Sequence, residues 1–142
     1  MSKKIFLCAS MNFYRELIGI EKALQTQGWT VYLPQSAKVM KEKNDFEVSH
    51  FKGVYTHQQR SLLIHQNFVD ISACDAILVI NNEKNGVKGY IGPNVLMEIG
   101  LAFYLKKKIY IWNTVPDTAS YKDELLCLGT VEINQDLGQI NV

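Results

Sequence analysis

Asp75-Ala76-Ile77-Leu78-Val79-Ile80 leads through an Asn- and Gly-rich stretch, Asn81 to Gly92, into Pro93-Asn94-Val95-Leu96-Met97-Glu98-Ile99-Gly100-Leu101-Ala102-Phe103-Tyr104-Leu105. The first six residues are the clearest strand pattern in the chain, a continuous apolar run of the kind found in strands buried on both faces. Asn and Gly in the stretch that follows tolerate unusual backbone angles and predict a loop. Pro93 suits the first position of a helix, since its fixed φ is helical and its missing N–H is not needed there. A buried strand, a loop and a helix in this order form half of a parallel crossover unit.

Working outward, the same alternation recurs. Ile5 to Ala9 reads as a strand, and Phe13, Leu17, Ile20 and Leu24 follow at helical spacing up to a stop at Gly28. Thr30 to Leu33 is a second strand, closed by Pro34. The segment from Gln35 to about Gly53 is polar, lysine-rich and without clear periodicity, so a mobile loop is expected. A helix is expected from about Thr56 to Ala73, with Leu62, Leu63, Phe68, Val69 and Ile71 as its apolar positions. Ile109 to Trp112 is a fourth strand. A helix at Tyr121 to Leu128, a last strand at Thr130 to Ile133 and a helical turn in the tail complete the unit. Alternating strands and helices predict one α/β domain over residues 1–142: a parallel sheet with right-handed crossovers and helices on both faces. With five strands in the order 2-1-3-4-5, the ligand crevice falls beyond the carboxyl ends of the first and third strands. It is edged by Ser10 to Phe13 and by Asn81 to Gly92.

Composition narrows the function classes. Fifteen basic against 14 acidic residues leave a formal charge of +1, without the cationic surplus that phosphate-backbone binding demands, so no nucleic acid partner is expected. Lys106-Lys107-Lys108 reads as the charged end of a helix. No stretch has the uncharged length of a membrane span or a signal-sequence core, and a cytoplasmic location away from membranes is expected. Cys8, Cys74 and Cys127 are odd in number and widely spaced. They read as small hydrophobes in or beside apolar runs rather than as metal ligands. His57 and His65 share a helix face but have no accompanying ligand cluster, so no metal site is expected. With no Gly-x-Gly-x-x-Gly or GK[ST] loop, no cofactor is expected either.

The chemistry concentrates at Glu98. It is the only charge on a helix apolar almost all round, where an ionised carboxylate is costly and desolvation raises its pKa. Asn94, one turn earlier, shares its face. A carboxylate so placed beside a crevice can serve as nucleophile or base; a solvated stripe or a lysine partner is the alternative. Ser10 and Asn12 can hold an anion or sugar hydroxyl, or equally cap the first helix. Asn67 faces either the pocket or solvent. Residues 82–90 can form a lid that brings Lys88 to a phosphate, or a solvated turn. Trp112, Asn113 and Tyr121 can stack on a base or pack in the core. Asp75 is expected to fix the turn before its strand.

Asp75-Ala76-Ile77-Leu78-Val79, a glycine-containing loop and Met97-Glu98-Ile99-Gly100-Leu101-Ala102, together with Phe6-Leu7-Cys8-Ala9-Ser10, resemble the nucleoside 2-deoxyribosyltransferase family, a group that includes nucleotide N-glycosidases. The resemblance spans Ile5 to about Trp112. It implies a flavodoxin-like fold, a nucleoside or nucleotide substrate, a homodimer or higher homo-oligomer, and attack by Glu98 on the anomeric carbon. The sugar would then pass to another base or to water, with Asn94, Ser10, Asn12, Asn67, Tyr90 and Gly92 around it. Phe6 stands where the family usually has a tyrosine, Asn67 where it has an aspartate that handles the base, and Gly92 where it has Asp or Ser. These replacements motivate a second expectation, a nucleotide-binding or regulatory module that has kept the pocket without the chemistry. Pro93-Asn94-Val95 ahead of Glu98 also resembles TIR-like domains, some of which cleave the glycosidic bond of NAD.

Overall fold

A computed structural model describes residues 2–141. Five strands, β1 (Lys4–Ala9), β2 (Thr30–Tyr32), β3 (Ala76–Ile80), β4 (Lys108–Ile111) and β5 (Val131–Glu132), form one sheet in the order β2-β1-β3-β4-β5. Every pairing is parallel, as the alternation of strands and helices requires. Five helices cover its faces: α1 (Tyr14–Thr26), α2 (Gln35–Lys43), α3 (His57–Ala73), α4 (Pro93–Tyr104) and α5 (Lys122–Cys127). β1 and β3 run in register from Ile5 opposite Ala76 to Ala9 opposite Ile80, so their carboxyl ends lie side by side.

The two-residue alternation of β1 divides the core. Ile5, Leu7 and Ala9 pack with Leu17 and Leu24 of α1 and Met40 of α2. Phe6 and Cys8 point the other way, toward Ile71 of α3, Val95 and Ile99 of α4, and Leu125 of α5. At the amino ends of the strands, the Asp75 carboxylate accepts from the Lys4 N–H at 2.8 Å. The Asp75 N–H donates to the Lys4 carbonyl at 2.8 Å. Asp75 is therefore a clasp between β1 and β3 at the end of the sheet remote from the crevice.

Three sequence expectations need correction. Gln35 to Gly53 is not a long loop: residues 35–43 form α2, which buries Ala37 and Met40 three positions apart and stops at Asn44 in a left-handed conformation (φ 49°). Two buried residues on a lysine-rich helix are too few for visible periodicity, yet burying Met40 alone contributes about 1.5–3 kcal/mol. The Lys41 ammonium adds an ion pair to the buried Glu21 of α1 at 2.8 Å. In α3, Leu62 and Val69 face solvent, whereas Leu63 and Ile64 border the crevice. Cys127 is exposed, unlike the buried Cys8 and Cys74. No described helix is long and apolar enough to cross a membrane.

Candidate active site

A cleft of about 680 Å³ opens at the carboxyl ends of β1 and β3, within the range typical of small-molecule sites. Its floor is the end of β1 and the start of α4. One wall is the hairpin loop after β3, and the opposite wall comes from α3 and residues 48–55. Of the candidates named from the sequence, Ser10, Asn12, Asn67, Tyr90, Gly92, Asn94 and Glu98 line it, whereas Lys88, Trp112, Asn113 and Tyr121 do not.

Glu98 is 6% exposed and is the only acidic residue in the lining. It has no ion pair among the described residues. Neither the lysine-partnered nor the solvated-stripe reading therefore holds. Burial pushes its carboxyl up to about 7, and a hydrogen bond from the Cys8 thiol partly offsets that rise. Burial and the neighbouring Glu98 raise the Cys8 thiol well above its usual range, so Cys8 stays protonated and serves as a donor. A carboxyl poised near neutrality divides its time between the acid and the nucleophilic carboxylate, the condition useful in catalysis. Cys8→Ala is expected to move the Glu98 pKa upward by about half a unit to one unit, because a weak thiol donor to a charged group is lost. Carboxyl-carbon NMR titration reads this directly, and Cys8→Ser should restore the wild-type value. An unchanged titration in Cys8→Ala would remove Cys8 from the site.

Ser10 and Asn12 follow β1, and neither side chain caps a helix. The Ser10 hydroxyl instead donates to Asn12 Oδ1 at 3.4 Å and accepts from Lys84 Nζ at 3.3 Å. Lys84, not the exposed Lys88, is thus the loop lysine in the cleft. Its position is set by a tight hairpin: Lys84 and Val87 exchange both backbone hydrogen bonds across Asn85 and Gly86, whose φ values are 50° and 78°. Asn-Gly favours such a turn because both central residues must accept positive φ.

The Asn67 side-chain oxygen accepts from the Gln35 N–H at 3.0 Å, so only its NH₂ group remains to face a ligand. Gly92 stands at the start of α4, where an added Cβ would lie 3.4 Å from the Tyr90 hydroxyl. Tyr90 thus fills the space a larger residue would need. Asn113 and Tyr121 lie outside the cleft and hold its wall. Asn113 pairs with Asn81 through two hydrogen bonds of 2.8 and 2.9 Å. The Tyr121 hydroxyl accepts from the Ile91 N–H and donates to the Gly89 carbonyl. Trp112 packs on the core.

Sequence reasoning missed Tyr14, Ser36, Lys52, Arg60 and Lys84 in the cleft. The Tyr14 and Ser36 hydroxyls bond each other at 2.9 Å, and burial pushes the Tyr14 phenol up to about 12. The position of Tyr14 just after the first crevice loop was a usable signal; Ser36 and Lys52 lay in the segment read as a mobile loop.

No protein-family model and no curated protein matches this sequence. Solved structures do. A 2-deoxyribosyltransferase from Bacillus psychrosaccharolyticus superposes with a TM-score of 0.57 at 18% identity, over 82% of this chain and 77% of that one. The chain has the fold of the 2-deoxyribosyltransferases. The CMP N-glycosidase BcmB of Clostridium botulinum shares that deoxyribosyltransferase fold (TM-score 0.55, 18% identity, 92% of this chain and 87% of that one). A 2-deoxyribosyltransferase from Leishmania mexicana shares it as well (TM-score 0.52, 16% identity, 80% and 67%).

Proposed function

We propose that this protein is an enzyme that cleaves or transfers at the N-glycosidic bond of a nucleoside or nucleotide, with Glu98 as nucleophile. The observation that carries the reading is a lone buried carboxyl, poised near pH 7, in the cleft of a deoxyribosyltransferase fold. In its ionised form Glu98 attacks the anomeric carbon. The bond to the base breaks, its electron pair leaves with the base, and the sugar is held as an ester. A second base or water then releases it. A carboxylate against an oxocarbenium-like transition state is the arrangement glycosidases use. Asn94, one helical turn from Glu98, positions the carboxylate or a sugar hydroxyl, and Asn67 offers its NH₂ to the base. The homodimer expected from the resemblance finds support in the exposed Met97, Phe103 and Tyr104 of α4.

The test is base release, followed by chromatography, from a panel of ribo- and deoxynucleosides, their 5′-monophosphates and NAD. Release by wild type and none by folded Glu98→Ala is the expected result. A second reading, a non-catalytic nucleotide-binding module, is favoured by Phe6 and by the amide at Asn67, which cannot protonate a leaving base. It predicts ligand-induced thermal stabilisation with no product from either protein.

A further inference from the structure

When an N-glycosidic bond breaks, its electron pair stays on the base, and the charge that develops there is met by a proton or by fixed positive groups. The lining of this cleft supplies the second and not the first. Glu98 is its only carboxyl, is ionised when it attacks, and is joined by no histidine, aspartate or second glutamate. Those are the side chains best suited to give a proton near neutral pH. The other charged residues in the lining are cationic, Lys52, Arg60 and Lys84, and none has a carboxylate partner among the described residues. Fixed cations and donors aimed at developing charge stabilise it without any proton transfer.

The wall formed by α3 gives this arrangement a shape. Arg60, Leu63, Ile64 and Asn67 all lie on α3 and all line the cleft. Spacings of three, four and seven residues set them along one helix face, about 10 Å from end to end. Leu63 and Ile64 form an apolar shelf on which a planar base can lie, and each end of the shelf carries a donor. A guanidinium can only donate. The Asn67 oxygen is committed to the Gln35 N–H, and since an N–H cannot bond the NH₂ group, the orientation of the amide is fixed and its NH₂ is left for the cleft. The nearest acid on the same helix, Asp70, is buried, bonded to Gln35 and Gln66, and outside the lining. The shelf is therefore donor-only.

We propose that the base leaves this cleft as an unprotonated anion held on α3 by Arg60 and Asn67, so that the substrates are N-glycosides of readily ionised, carbonyl-bearing bases, uracil and its analogues foremost. The proposal rests on the reading of Glu98 as nucleophile and names the leaving group of that reaction. A carboxylate oxygen of Glu98 bonds to the anomeric carbon as the carbon–nitrogen bond breaks. The electron pair passes to the base, and the resulting anion takes its proton from water after it leaves. In a uracil anion that charge spreads onto two carbonyl oxygens, both acceptors for a donor-only shelf. Cytosine loses the corresponding N–H proton less easily and sets an amino donor where uracil has its second oxygen, so it meets a donor with a donor.

The experiment is single-turnover base release, with enzyme in excess so that bond cleavage is read directly, from 5-fluorouridine, uridine, 5-methyluridine and cytidine. Each is supplied as ribo- and 2′-deoxynucleoside, with and without a 5′-phosphate. Fluorine makes the base easier to ionise and methyl makes it harder, with little change of shape. Release should fall about tenfold from the fluoro to the methyl compound, and cytidine should be slowest. Arg60→Ala, an exposed position, should slow the methyl compound several-fold more than the fluoro compound, and Arg60→Lys, which keeps the charge, should recover most of the loss. A merely structural role for Arg60 would slow all substrates alike, and that result would overturn its part in the shelf and the proposal with it. Equal release of the three uracils, or cytosine released as fast as 5-fluorouracil, would overturn anionic departure while leaving the glycosidic reading intact. Release of no base from any of these substrates, with purines released instead, would also overturn the proposal alone. Release of no base at all would overturn both.

Discussion

Glu98→Gln is expected to lose turnover on the order of 10⁴-fold or more while making the folded protein more stable above pH 7. The two effects share one cause. The Glu98 carboxyl rises from an ordinary 4.5 to about 7 because burial penalises its charge. Below pH 4.5 the folded and unfolded chains are both protonated at this position, and there is no penalty. Between 4.5 and 7 the unfolded chain releases the proton while the folded chain keeps it, so stability falls as pH rises. Above 7 the full penalty applies, about 3 kcal/mol for a shift of this size. A glutamine of nearly the same shape carries no such penalty, less whatever its amide loses for want of a partner. Urea denaturation at pH 5 and pH 8 reads the difference: the variant's advantage should be small at pH 5 and reach a few kcal/mol at pH 8. An advantage independent of pH would mean that Glu98 is not buried as a neutral acid, and the nucleophile assignment would lose its physical basis.

Gly89→Ala is expected to destabilise the fold by about 2–4 kcal/mol, the largest effect of any single added methyl group in the cleft wall. Gly89 has φ +63°, and a Cβ there would lie 2.9 Å from Pro116 Cδ and 3.0 Å from the Thr114 carbonyl oxygen. Backbone strain and overpacking therefore add. The neighbouring Gly86 provides the control: its φ is +78° but nothing lies within 4 Å of an added Cβ. Gly86→Ala should cost only the backbone term, about 1–2 kcal/mol. Because the Gly89 carbonyl accepts from Tyr121, relief of the clash by moving the loop would displace Tyr90, and ligand affinity should drop with stability. Equal losses in the two variants would show that the wall between residues 89 and 116 is not close-packed.

Much of the architecture was legible in the sequence because local patterns and global topology agree. The apolar run of β3, the Asn-Gly loop and Pro93 at the first position of α4 each state their structure within a few residues. The alternation of such units then leaves a parallel sheet as the natural arrangement. Helix α2 was not legible, since its core contribution is essentially Ala37 and Met40, and its lysines obscure a two-residue stripe. The inward positions of α3 were misread for a related reason. A helix packed along one cleft edge buries little, so its apolar residues do not declare which face is inside.

At the site, the sequence by itself determined that Glu98 is exceptional, because a single charge in an otherwise apolar helix conflicts with its surroundings wherever the helix packs. It also placed Ser10, Asn12, Tyr90, Gly92 and Asn94 on the loops and helix start that topology directs to one crevice. What only tertiary structure decided was which groups meet. The Cys8 thiol reaches Glu98 because the strand pleat turns Phe6 and Cys8 toward α4. Lys84 rather than Lys88 enters the cleft because hairpin closure at Asn85-Gly86 fixes its direction. Arg60 and Lys52 join them from segments distant in the chain, and Tyr14 joins from the start of α1. Local sequence specifies backbone form through nearby sterics and hydrogen bonds. The charge balance of a cleft and the pKa of its carboxyl depend on distances across the fold, which no local pattern encodes.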